Sequence, residues 1–291
     1  MHRREFLHHI ITTSAMVTLG SFGTMASEWK ETGTTMPVLF IGHGSPMNAI
    51  EDNEFSRGWH AMAATLPRPR AILVISAHWE TRGTFVTAME RPKTIHDFGG
   101  FPQALFDVEY KAPGSPELAK ETQQAITTTP VGLDESWGLD HGTWSVLVRM
   151  YPDATIPVVQ LSLDHTRDAQ YHYDLARQIA VLRKKGVLII GSGNMVHNFR
   201  YLDARQGFEK HYGHDWALEA NDQFKNLITT HDHRPLIDYQ ATRGFALSAP
   251  TPEHYLPMLY TLAIGGQDEK LQFFNDAVVA GSFSMTSFRV G

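Results

Sequence analysis

The strongest constraint on this chain is a set of four short apolar runs, each closed by small or turn-forming residues. Pro37-Val-Leu-Phe-Ile41 runs into Gly42-His43-Gly44-Ser45-Pro46, and Ala71-Ile-Leu-Val-Ile75 runs into Ser76-Ala77-His78-Trp79. Ile156-Pro-Val-Val-Gln-Leu-Ser-Leu163 is the third, and Val187-Leu-Ile-Ile190 runs into Gly191-Ser192-Gly193-Asn194. Their β-branched content and lengths of roughly 4–8 residues favour buried strands over helices. Helical patterns lie between and after them, over Phe55–Thr65, Pro116–Ile126, Ala169–Lys185, Trp216–Ile228 and Pro252–Ile264. Ser115 and Thr251 read as N-caps with Pro116 and Pro252 at the first helical positions, and Gly186 reads as a stop. This alternation predicts an α/β domain with a central, largely parallel or mixed sheet flanked by helices. The 291 residues contain no obvious linker or repeat, so a single catalytic domain over residues 36–291 is expected.

Composition narrows the chemistry. The chain has no cysteine, which removes disulfides, thiolate ligands and thiol nucleophiles. Its formal charge of -6, without a long basic run, argues against nucleic-acid binding. It has 16 histidines, the residue most used as a metal ligand and as a near-neutral acid or base.

The N-terminus reads as an address. Arg3-Arg4-Glu5-Phe6-Leu7, a diluted apolar run from Ile10 to Phe22 and small residues around Ala26 resemble a twin-arginine signal over residues 1–26. The run is too short and too polar for a stable membrane span. The expectation is recognition by the twin-arginine machinery and a periplasmic or exported product, or a cytoplasmic one if the signal does not function.

Position singles out five histidines. His43 and His78 directly follow strand patterns, and His197 follows one by a few residues. In α/β sheets the carboxyl ends of strands line the ligand crevice, so residues distant in sequence can converge there. His254 falls in the first turn of the helix expected to begin at Pro252, and His141 lies just before another helix. A lone histidine after a strand is more often a structural hydrogen-bonder. Repetition at equivalent places, beside Gly, Ser and Asn, is what points to a metal site, and no HExxH motif is present.

Six segments taken together carry a family resemblance. Gly42-His43-Gly44-Ser45-Pro46-Met47-Asn48, Ser76-Ala77-His78-Trp79, Thr94-Ile95-His96-Asp97-Phe98-Gly99-Gly100-Phe101-Pro102, Asp140-His141-Gly142-Thr143-Trp144, Gly191-Ser192-Gly193-Asn194-Met195-Val196-His197-Asn198 and Pro250-Thr251-Pro252-Glu253-His254-Tyr255 resemble the 4,5-DOPA extradiol dioxygenase family. The resemblance runs from about Met36 to the C-terminus. It implies a metal-dependent dioxygenase that inserts both atoms of O2 into a small catecholic, DOPA-like substrate and opens its ring. It implies one divalent metal ion, Fe(II) for activity, with Zn(II) as an ion such proteins also hold. It implies His43, His78, His197 and His254 at ligand positions, His141 and His197 as proton-transfer residues, and His96 and Phe98 on a substrate-binding loop. Whether Glu253 or His254 faces the metal stays open, because adjacent helical residues point about 100° apart. A zinc hydrolase on the same histidines and a non-catalytic metal-binding protein are the rival expectations.

Overall fold

The computed structural model describes residues 29–291 except Glu209. The signal expected over residues 1–26 lies outside the described residues. Among the described residues there are ten strands: β1 (Val38–Gly42), β2 (Ala71–Thr81), β3 (Thr84–Thr87), β4 (Val131–Asp134), β5 (Val158–Asp164), β6 (Val187–Gly193), β7 (Leu271–Phe274), β8 (Val278–Val279), β9 (Phe283–Ser284) and β10 (Ser287–Val290). Eight of them form one sheet in the order β4-β3-β5-β2-β6-β1-β10-β7, and β8 and β9 pair separately. The four central strands, β5, β2, β6 and β1, are mutually parallel. β3 joins β5 antiparallel on one side and β10 joins β1 antiparallel on the other, so the whole sheet is mixed.

The four apolar runs are the four central strands, and their continuous hydrophobicity has a direct cause. Successive strand residues point to opposite faces, and here both faces are covered. Leu39, Ile41, Ile72, Val74, Leu188 and Ile190 pack under the helices Glu54–Ala64 and His141–Met150. Val38, Phe40, Leu73, Ile75, Val187 and Ile189 pack under the helices Ala169–Ile179, Asp215–Thr229 and Leu256–Ile264. Each fully buried Val, Leu or Ile stabilises the fold by about 1.5–3 kcal/mol relative to exposure.

Two expectations shift in detail. β2 does not end before His78 but continues through it to Thr81. Its pairing with β5 slips: Ile75 faces Leu161 and Glu80 faces Leu163, so Ser76–Trp79 stand opposite Ser162 alone. Such a bulge bends the strand and re-aims its side chains. The C-terminal helix begins at Leu256, not Pro252. Residues 253–255 form a turn, and the Thr251 hydroxyl donates to Glu253 Oε1 at 2.8 Å instead of capping a helix. No described helix is long and apolar enough to cross a membrane.

Candidate metal centre

β2, β6 and β1 lie side by side and parallel, so their carboxyl ends open on one edge. His43 follows β1, His78 sits on the β2 bulge, and His197 follows β6. With neighbouring strands about 4.8 Å apart, His43 and His78 are two strands apart and their side chains meet over the end of β6. The turn carrying His254 packs onto that end, where Asn194 N donates to His254 O at 2.8 Å. Gly193 permits this approach, since a Cβ there would collide with the His254 carbonyl oxygen.

His141 enters from the helix His141–Met150, whose N-cap is Asp140. Asp140 is fully buried and accepts from Ser76 Oγ (2.6 Å), Gln160 Nε2 (2.6 Å), Trp137 Nε1 (3.1 Å) and Thr143 N (3.2 Å). Burial, and then the negative charge of Asp97, push its carboxyl up. The helix start, the β2 bulge and β5 are thereby tied at one point.

The rings converge. His43 lies 5.1 Å from His78, 5.8 Å from His141 and 5.3 Å from His254, centroid to centroid. His78 is 3.8 Å from His141 and 4.9 Å from His254. His197 stacks on His254 at 3.6 Å, the ring planes nearly parallel at 8°. The nitrogens of His43, His78 and His141 form one group able to hold a cation, and His197, His254 and the Glu253 carboxylate form a second beside it.

Hydrogen bonds decide which nitrogens face inward. His43 Nδ1 is 3.0 Å from Ser192 Oγ, whose proton goes to the Gly142 carbonyl. Ser192 therefore accepts, His43 carries its proton on Nδ1, and Nε2 is a bare lone pair. His254 Nδ1 donates to Glu253 Oε1 at 3.1 Å, which frees its Nε2 in the same way. His78 Nδ1 lies 3.2 Å from Asp97 Oδ2, which favours the proton there too. Asp97 Oδ1 also accepts from His141 N at 2.9 Å. His141 Nδ1 is buried 3.0 Å from Asp97 Oδ2 but misaligned on it, leaving that nitrogen unsatisfied. The result is His43 Nε2 and His78 Nε2 facing each other at 3.3 Å. Two nitrogens bound at ~2.0–2.1 Å with a tetrahedral angle between them are separated by about 3.3 Å. The donor set fits a divalent metal, and the carboxylates behind the imidazoles are the usual outer partners that orient such ligands.

Electrostatics agree. Burial, reinforced by neighbouring imidazoles, holds His43 and His254 well below the ordinary histidine value. Burial and then His141 bring His78 down to about 3, and burial brings His197 down to about 4. All four are neutral near pH 7, the form that ligates a metal. Burial opposes ionisation of Asp97, but His141 and His78 outweigh it and hold the carboxyl below its usual range.

The substrate-loop residues separate. Phe98 stands edge-on to His141 at 5.4 Å. His96 sits one layer back, its Nε2 bonded to the Val108 carbonyl at 3.0 Å and its ring against Trp144 at 5.4 Å. Asp97 and Ser192 were not singled out by sequence reasoning. Each lay inside a quoted segment, but only their tertiary partners give them a role.

Residues 37–290 match the family described as the catalytic LigB subunit of aromatic ring-opening dioxygenase. The chain is 50% identical over 262 residues to the 4,5-DOPA dioxygenase extradiol of Escherichia coli (strain K12), covering 89% of this chain and 96% of that protein. It is 36% identical over 260 residues to the protein of the same name from Beta vulgaris, covering 86% and 95%. A crystal structure of an uncharacterized protein from Escherichia coli K12 superposes with a TM-score of 0.76 at 44% identity, covering 88% of this chain and all of that one. Family match and relatives span the same residues that build the histidine edge, and the chain belongs to the LigB family of extradiol, aromatic ring-opening dioxygenases.

Proposed function

We propose that the substrate is a small DOPA-like catechol and that the metal is a single Fe(II) ion held by His43, His78 and His254, with His197 beside it. The observation that carries this reading is the pair of inward lone pairs on His43 and His78, 3.3 Å apart and backed by proton acceptors on their far nitrogens. Iron there would supply open positions for both catechol oxygens and for O2, and electron transfer between them, which zinc does not.

The chain's own groups do the rest. Neither ring nitrogen of His197 has a hydrogen-bond partner among the described residues, and its neutral imidazole is free to take a catechol proton. His141, whose Nδ1 is unsatisfied, is the second proton-transfer group, pressed between His78 and Phe98. Phe98 closes the apolar side of the site. His96 supports Phe98 from behind. Glu253 orients His254 by accepting from its Nδ1.

The test is anaerobic loading with Fe(II) followed by O2 uptake with a panel of catechols. The expected result is O2 consumption coupled to a yellow ring-opened product, and none with zinc. Ester or peptide hydrolysis with zinc would favour the hydrolase instead, and metal binding without either activity would favour a non-catalytic role. We further propose export by the twin-arginine route. Replacing Arg3 and Arg4 with Lys should leave the protein in the cytoplasmic fraction, and unchanged export would refute it.

A further inference from the structure

Phe199 is 68% exposed, against 44% for Leu218, the next most exposed large apolar side chain among the described residues. It opens the short turn Phe199–Tyr201, which is tethered on several sides. Asn198 accepts from Arg200 N at 3.0 Å, and its amide donates to the Leu247 carbonyl at 2.7 Å. Ser282 Oγ donates to the Asn198 carbonyl at 2.8 Å. The ring is thus presented from a fixed mount.

Its neighbours lead to the metal centre. Phe199 stands edge-on to His197 at 4.8 Å and to Phe283 at 5.1 Å. His197 stacks on His254, which touches both His43 and His78. On the opposite side of the histidines, Phe98 is packed by Phe101, Phe106 and Trp144. One aromatic wall is therefore filled in from behind and the other has an open face. The Phe199 ring stands exposed beside His197, the imidazole proposed above to take the catechol proton, so an aromatic ring bound at His197 comes within its reach. A planar aromatic ring seated at the histidines offers the edge-to-face or offset contact that phenyl rings prefer.

We propose that Phe199 is the outer wall of the substrate site, covering the aromatic ring of the bound substrate and restricting bulk on that side. This rests on the catechol reading above, which supplies the occupant. Phe199 acts on binding and selection, not on proton transfer or on the metal.

The experiment uses zinc-loaded protein, which is redox-inert, titrated with unsubstituted catechol, alongside Fe(II)-loaded turnover. Phe199→Ala should raise the catechol Kd about tenfold, equivalent to about 1.4 kcal/mol. Phe199→Leu should fall between it and the wild type. Tyr201→Ala should leave Kd unchanged, because Tyr201 faces Trp216 and His214 instead. Zinc stoichiometry should be the same in all variants, and in turnover KM should rise more than kcat falls. An unchanged Kd in Phe199→Ala, with a wild type that binds and cleaves catechol, overturns the proposal alone. A changed oligomeric state with unchanged Kd overturns it in favour of contact with a second copy. A wild type that neither binds nor cleaves catechol overturns the functional reading and this inference with it.

Discussion

At the scale of single residues, the site is a set of imidazoles of which three, His43, His78 and His254, have a proton acceptor beside Nδ1. His43→Ala removes one of the two facing lone pairs, and metal binding should be abolished. Full metal occupancy in that variant, read by elemental analysis after dialysis, would remove His43 from the coordination sphere. Asp97 touches two of the rings, His78 and His141, each at Nδ1. Asp97→Ala should weaken metal affinity about 10–100-fold, the usual cost of losing a carboxylate behind a ligating histidine. Competition with a chelator measures it, and wild-type affinity would show that Asp97 only braces the loop through His141 N. The histidines were legible because a strand pattern followed by a small-residue turn marks the edge where ligands bind. Asp97 was not, because nothing local distinguishes it from a surface aspartate. Its partners lie 19 and 44 positions away, at His78 and His141.

At the scale of elements, packing overrides local preference at the start of the helix His141–Met150. In an isolated helix, Gly→Ala stabilises by about 1 kcal/mol. At Gly142 a Cβ would meet Ser76 Oγ at 2.5 Å and His78 Cδ2 at 2.9 Å. Ser76 is buried and hydrogen-bonded to Asp140, so neither neighbour can yield freely. Gly142→Ala should therefore lower both thermal stability and metal affinity, and a gain in melting temperature would contradict the packing argument. The central strands and the helices Pro116–Ala125 and Asp215–Thr229 were readable from periodicity and caps, as with Ser115, which accepts from Leu118 N at 3.1 Å. The sheet edges were not. β7 and β10 are four residues each, and β10 pairs with β1 some 250 positions earlier. The start of the last helix was misplaced because Thr251 spends its hydroxyl on Glu253.

At the scale of the whole molecule, stability should depend on pH through its buried neutral histidines. His172 is fully buried, bonded to Tyr260 OH at 2.9 Å and to the Asp164 carbonyl at 3.2 Å, and burial lowers it to about 4. It joins the helices Ala169–Ile179 and Leu256–Ile264 to β5, far from solvent. Such a group binds protons more readily in the unfolded chain, near pH 6.5, than in the folded one. Stability is full above about pH 6.5 and falls as pH drops toward 4, by up to about 3 kcal/mol for His172 alone. Melting of metal-free protein at pH 7.5 and pH 5 should show the lower temperature at pH 5, and equal temperatures would mean that water reaches these rings. What the sequence by itself determined was the α/β class, the four buried strands and the short set of histidines placed at strand ends, because these are written in local periodicity and in residue chemistry. The tertiary structure alone decided that β6 lies between β1 and β2, that the His254 ring packs against His43 and His78, and that Asp97 and Ser192 lie beside their Nδ1 atoms. Those outcomes depend on strand order and on contacts between distant segments, which no local pattern encodes.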